Sequence, residues 1–281
     1  MPMSEIDPFR IRAHVPEFDL ISQGYRETSD MARVRWSAMT DVAYGPGPQE
    51  RLDLFFPDGD SKNRPIHIFI HGGYWRANVK EDYAFVANTI CAAGSIAAIM
   101  EYGRLPALRM ESLVDQVRRG ALWLKQNAAS FGGDADAISA SGHSAGAHLA
   151  FYLAARGPSE TLLPPATATS LFLVSGVYDL QPIPFSFLQA EIDLRDDEVL
   201  AWSPLTSAPE ARTPMTIVVG ERETPPFREQ AALLATAVSP NSPPLSIAGA
   251  DHMSIVRDMG DIDSSLGQLF LRFLKTEASA A

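Results

Sequence analysis

Two hydrophobic rhythms alternate along this chain. Short apolar runs rich in β-branched residues recur, separated by longer stretches whose apolar positions return every three or four residues. Arg51–Phe56 alternates at first and predicts a strand, closed by Pro57, Asp58 and Gly59. Residues 66–70 form an apolar run that ends at Gly72 and Gly73, the pattern of an interior parallel strand buried on both faces. Further strands are predicted at 95–100, 137–140, 171–174, 215–219 and 245–247. Helices are predicted at 80–93, 107–130, 145–156, 227–238 and 263–275. In 107–130, Leu108, Leu113, Val117, Leu122 and Leu124 lie among charges, which suits a long amphipathic helix.

Strands alternating with helices predict parallel βαβ units: an α/β fold whose mostly parallel central sheet is flanked by helices. No repeat or linker divides the chain, so residues 1–281 are expected to form one domain. Residues 1–40 mix charge, proline and isolated apolar positions and predict a helical or irregular lead-in. Residues 177–212, rich in Pro, Phe and acidic side chains, break the alternation just after a strand. Ligands of open α/β sheets bind at the C-terminal ends of strands, so this segment is expected to be a small cap insertion over the site.

Composition narrows the field of partners. The formal charge of −11 disfavours nucleic acid and anionic membranes, which would repel the chain. No apolar run is long enough to span a bilayer, and the N-terminus lacks the apolar core of a secretory signal. A cytoplasmic location is the expectation. Cys91 is the single cysteine, so no internal disulfide forms; its apolar setting predicts a small buried hydrophobe. Oligomeric state is left open, with an edge strand or the cap offering room for a homodimer.

The strongest chemical signal is Gly142-His143-Ser144-Ala145-Gly146, a G-x-S-x-G sequence between a predicted strand and a predicted helix. A nucleophile on so tight a turn needs residues without side chains at both flanks. The second signal is His71-Gly72-Gly73-Tyr74-Trp75, directly after a buried strand. It suits a loop whose amides turn inward to stabilise a negative oxygen, so the N–H groups of Gly73, Tyr74 and Ala145 are the expected oxyanion hole.

A serine nucleophile needs a base, and in this fold the order along the chain is serine, acid, histidine. His252 is the only histidine beyond His148, and it follows the last predicted strand. Imidazole takes the serine proton near neutral pH and returns it to the leaving group. Glu223, three residues past Gly220, is the expected orienting acid; Glu221 and Asp179 are the competitors, and Asp251, adjacent to the histidine, reads as a solvated or capping residue. His71 is expected to brace its own loop and His148 to be a hydrogen-bonded core residue, while His14 and His67 have no evident chemical company. The histidines show no metal-ligand spacing, and neither metal nor cofactor is expected.

Taken together, these motifs resemble the arylformamidase (kynurenine formamidase) branch of the α/β-hydrolase superfamily, near the hormone-sensitive-lipase-like esterases. His71 to Trp75 is similar to the HGGxW loop of that branch. Residues 142–149, the segment Ser175 to Leu180, and Gly220 to Glu223 with Pro225, Phe227 and Gln230 extend the likeness over residues 40 to 275. The branch commonly carries Asp where this chain has Glu223. The resemblance implies hydrolysis of an N-acyl aryl amine of the N-formylkynurenine type, with aryl esters as side substrates. Trp75, Tyr74, His143, Phe185 and Phe187 are then expected to contact an aromatic substrate. A general carboxylesterase and a non-catalytic binding protein on the same scaffold are the rival readings.

Overall fold

The computed structural model describes residues 6–59, 62–158, 160, 168–209 and 213–280; residues 1–5 of the expected lead-in and 210–212 of the expected cap lie outside them. Eight strands form one sheet: β1 (Ser37–Ala43), β2 (Arg51–Phe56), β3 (Arg64–Ile70), β4 (Ile96–Met100), β5 (Gly133–His143), β6 (Leu171–Val174), β7 (Met215–Gly220) and β8 (Leu245–Ile247). Their spatial order is β1-β2-β4-β3-β5-β6-β7-β8. The pairs β1/β2 and β2/β4 are antiparallel; every later pairing is parallel.

The helices are α1 (Ile11–His14), α2 (Phe18–Arg35), α3 (Ala87–Ala92), α4 (Met110–Asn127), α5 (Ala145–Phe151), α6 (Gln189–Ile192), α7 (Asp196–Trp202), α8 (Pro225–Val238), α9 (Ser254–Met259) and α10 (Ser265–Ala280). Among the described residues none is long and apolar enough to cross a membrane. In α4 the buried stripe is Met110, Leu113, Val114, Val117, Ala121 and Leu124, the spacing of one helical face. Leu122 falls off that stripe and is 46% exposed, contrary to expectation.

Two elements differ from the sequence reading for identifiable reasons. β1 lies in what was expected to be lead-in, and its side chains are almost all exposed. An edge strand that buries no face carries no hydrophobic alternation; only its ladder to β2 makes it a strand. The helix expected over 145–156 ends at Phe151, because Ala155–Arg156 leaves to pair with Ala208–Pro209. That bridge ties α5 to the segment that follows β6.

Residues 177–209 contain short helical turns together with α6 and α7, and they dock through polar hooks. The Trp202 carbonyl lies 2.7 Å from His148 Nε2, and the Glu198 carboxylate accepts the Met110 N–H at the start of α4 at 2.9 Å. The buried centre of the sheet also holds a polar contact. His67 in β3 bonds the hydroxyls of Ser139 and Ser141 in β5, each at 2.7 Å, with its ring edge-on to Phe270 of α10. His67 therefore has partners the sequence did not suggest. Burial pushes its pKa down to about 3, so the ring is neutral. Cys91 is buried, and desolvation pushes its thiol up to about 12, leaving an inert small hydrophobe.

Candidate active site

Parallel strands align their C-terminal ends along one edge. The register pairs Ile70 with Gly142 and His143 with Val174, so the residues that follow β3, β5, β6 and β7 converge there. Ser144 follows β5 directly and has φ 55° and ψ −122°, strained values for a residue with a side chain. Its neighbour explains why the turn closes. A Cβ on Gly146 would lie 2.0 Å from the Ile70 carbonyl oxygen, so only glycine lets α5 start this close to β3.

The loop after β3 is bent with equal severity. Gly73, Tyr74 and Trp75 have φ of 121°, 50° and 57° in succession. A Cβ on Gly73 would also meet the Ala77 carbonyl oxygen at 2.3 Å. Among the described residues the amides of Gly73, Tyr74 and Ala145 find no hydrogen-bond acceptor. His71 holds the loop from beneath. Its Nδ1 is 2.8 Å from the Gly72 carbonyl, its Nε2 is 3.1 Å from Glu101, and its ring stacks on Tyr102 at 4.6 Å.

Glu223 and His252 meet where the loops after β7 and β8 approach. The His252 Nδ1 is 2.7 Å from Glu223 Oε2. The other carboxylate oxygen accepts the Gly220 N–H at 2.9 Å and the Ser175 hydroxyl. With Nδ1 donating to the acid, Nε2 is left as the acceptor. The imidazole is gripped by rings on both sides, Phe227 at 4.2 Å and His143 at 4.6 Å. Tyr25 of α2 fixes the same loop through its hydroxyl, which donates to the Met253 carbonyl at 2.5 Å.

The competing acids are occupied elsewhere. Glu221 accepts the Gly249 N–H, Asp179 accepts the Gln181 N–H, and Asp251 caps α9 through the Met253 and Ser254 amides. Ser175, whose hydroxyl holds the Glu223 carboxylate, was not anticipated as part of the site. Its sequence signals are that it follows a strand ending at this edge and that it opens the Ser175–Leu180 segment of the family likeness, and neither assigns it a partner.

Ser144, His252, His143, Gly73 and Tyr74 all line one cleft of about 590 Å³, within the range of small-molecule sites. His143 is buried, and neither of its ring nitrogens has a hydrogen-bond partner among the described residues. Desolvation, reinforced by the neighbouring His252, holds its pKa well below the usual imidazole value.

Of the expected substrate contacts, Tyr74, His143 and Phe187 line the cleft, but two corrections are needed. Trp75 is fully buried behind the loop and donates its indole N–H to His148 Nδ1 at 3.2 Å. Its positive φ turns the side chain inward, where the indole N–H needs a partner. Phe185 points to solvent at 92% exposure and is not a lining residue. The upper wall comes instead from the N-terminal segment, through Arg10, Ile11, Arg12, Phe18 and Arg26, with Phe187 and Glu191 as the share of residues 177–209. Three hydrogen bonds seat the first residues of that segment: Tyr74 Oη to the Phe9 carbonyl at 2.6 Å, Thr224 Oγ1 to the Pro8 carbonyl at 2.9 Å, and the Phe187 N–H to Asp7 Oδ2 at 2.7 Å. Among the described residues no group of three His, Cys, Asp or Glu is placed to hold a metal ion.

Comparison with known proteins agrees with this architecture. Residues 52–257 match the BD-FAE family model. A kynurenine formamidase of Danio rerio is 29% identical over 272 residues, covering 94% of this chain and 89% of the relative. That of Salmo salar is 29% identical over 259 residues, covering 89% and 86%. Among solved structures, one from Silicibacter sp. superposes with a TM-score of 0.82 at 23% identity over 95% of this chain and 98% of that one. The carboxylesterase EstE1, from a metagenomic library, gives 0.70 at 17% identity over 96% and 97%. These structural likenesses speak for the fold, the family match covers most of the chain, and the chain is accordingly an α/β-hydrolase of the arylformamidase and esterase type that belongs to the BD-FAE family.

Proposed function

We propose that this protein is a serine hydrolase that cleaves an N-acyl arylamine, of the N-formylkynurenine type, through an acyl-enzyme. The observation that carries the reading is the 2.7 Å contact between Glu223 and His252, whose imidazole lines the same cleft as the strained Ser144. In this mechanism Ser144 Oγ attacks the acyl carbon while its proton passes to His252 Nε2. The Glu223 carboxylate stabilises the imidazolium that forms and holds the ring in one tautomer. The carbonyl oxygen becomes an oxyanion facing the amides of Gly73, Tyr74 and Ala145. Collapse breaks the C–N bond, and His252 returns the proton to the departing arylamine. Water then repeats the sequence on the ester and releases the carboxylic acid and free Ser144.

Tyr74 and Phe187, edge to face at 6.2 Å on the cleft wall, support an aromatic leaving group, and the kynurenine formamidase relatives support a formyl acyl group. The test compares kcat/KM on N-formylkynurenine and p-nitrophenyl acetate for wild type and Ser144→Ala. Preference for the formamide is expected, as is a loss of about 10⁵-fold or more on both substrates in the variant, on the pattern of triad deletions. A strong preference for the small ester would make the protein a general carboxylesterase. Near-normal turnover by Ser144→Ala would remove the serine mechanism altogether.

A further inference from the structure

The charge at the mouth of the cleft runs against the charge of the chain. The protein carries −11, yet Arg10, Arg12, Arg26 and Arg76 all line the cleft that holds Ser144, against Asp82 and Glu191. Two of the four arginines are neutralised. Arg12 pairs with Asp19 and Arg76 with Glu191, each at 2.5 Å. Arg10 has no carboxylate partner among the described residues; its guanidinium lies 4.3 Å above the Phe187 ring. Arg26 likewise makes no ion pair among the described residues and acts only at longer range on Asp82, whose carboxyl burial pushes up and Arg26 draws back down.

Resting on the hydrolase reading above, we propose that Arg10 and Arg26 form a carboxylate-binding subsite that selects substrates whose aromatic leaving group carries an anionic tail. The Phe187 face holds the Arg10 guanidinium in place, which leaves its forked edge to bind a carboxylate bidentately. Both arginines sit on the N-terminal segment and line the cleft that holds Ser144: three hydrogen bonds to Tyr74, Thr224 and Phe187 seat the stretch that carries Arg10, and the Tyr25 hydroxyl bonded to the Met253 carbonyl seats the helix that carries Arg26. A neutral ester leaves both guanidinium groups without a carboxylate in contact, so discrimination appears in KM.

A matched pair of esters tests this: the O-acetyl ester of 3-(4-hydroxyphenyl)propanoate and that of its uncharged propanamide, whose leaving phenols differ only in the charge of the tail. Wild type is expected to favour the acid about tenfold in kcat/KM, through KM, with the ratio shrinking as sodium chloride rises from 20 to 200 mM. Arg10→Gln/Arg26→Gln is expected to bring the ratio close to one, and Arg10→Lys, which keeps the charge but loses the fork, to leave it between the two, with circular dichroism and melting curves reporting the fold of each variant. Wild-type turnover of the amide ester at or above that of the acid ester overturns this subsite alone, as does a double variant that keeps the preference. Failure to cleave either ester removes the serine hydrolase reading and the subsite with it.

Discussion

The floor and the wall of the cleft are built by different physics. The floor is backbone: four parallel strands end in register, and the side chains that follow are held by strained turns and by bonds with little choice of partner. Glu223, for instance, has both oxygens occupied by His252, Gly220 and Ser175. The wall is a separate piece of chain, residues 7–26, laid across the strand ends: Phe9, Ile11, Val15, Ile21 and Tyr25 are buried in the core and four hydrogen bonds tie the segment down, while its arginines lie in solvent. A preorganised floor suits chemistry, where a small misplacement is costly. Exposed arginines on an anchored wall suit selection, since they can change without disturbing the turn that carries Ser144.

If the floor acts as a unit, breaking one of its bonds should cost far more than breaking one in the wall. The largest effect is expected for Glu223→Gln. It keeps the shape but puts an amide where the carboxylate meets His252 Nδ1, favouring the wrong tautomer; kcat should fall on the order of 10³ to 10⁴-fold with little change in KM. A fall of less than tenfold in steady-state kinetics would mean that the acid does not orient the base.

Acid should attack the interior before it attacks the wall. His67 and His148 are fully buried and neutral, with pKa values pushed by burial to about 3 and about 4, and His143 is also held well below its usual value. In the unfolded chain each would bind a proton below about pH 6.5. Between those limits the unfolded state holds more protons, so stability is greatest above pH 6.5 and falls as pH drops, by about 1.4 kcal/mol per unit for each histidine. Urea midpoints at pH 7, 6 and 5 should show that slope, and His148→Gln should lower it by about one proton. An unchanged slope in the variant would show that His148 is not held neutral by the fold.

The smallest effect belongs to the wall. Tyr74→Phe removes the hydroxyl that holds the Phe9 carbonyl, a bond of about 1 kcal/mol. Faster amide exchange across residues 7–18 and a KM raised about threefold to fivefold are expected. If that variant lost kcat on the scale of Glu223→Gln, the distinction between floor and wall would collapse.

Much of the floor could be read from residue order. G-x-S-x-G after an apolar run, HGG after another, and one late histidine after a third all lie at strand ends, and strand ends are visible in hydrophobic patterning. Glu223 was harder to pick from Glu221 because both follow β7 within three residues. What separates them is direction: Glu221 reaches back to the Gly249 amide, while Glu223 turns inward to Ser175 and His252. Trp75 misled for a related reason. Its neighbour Tyr74 lines the cleft, but one residue further along the same bent loop the indole points inward to His148. The wall was not legible, because the apolar face of residues 7–26 predicts burial but not where the segment docks, and it touches the site only through partners more than sixty positions away.

The sequence by itself determined the alternating α/β plan, the turn at Ser144 and the loop at Gly73, because these are local consequences of apolar runs and of glycines where no Cβ fits. The tertiary structure alone decided which carboxylate faces His252, which aromatics reach the cleft and which arginines surround it. Those outcomes depend on side-chain direction and on contacts between distant segments, and neither is encoded in the spacing of residues along the chain.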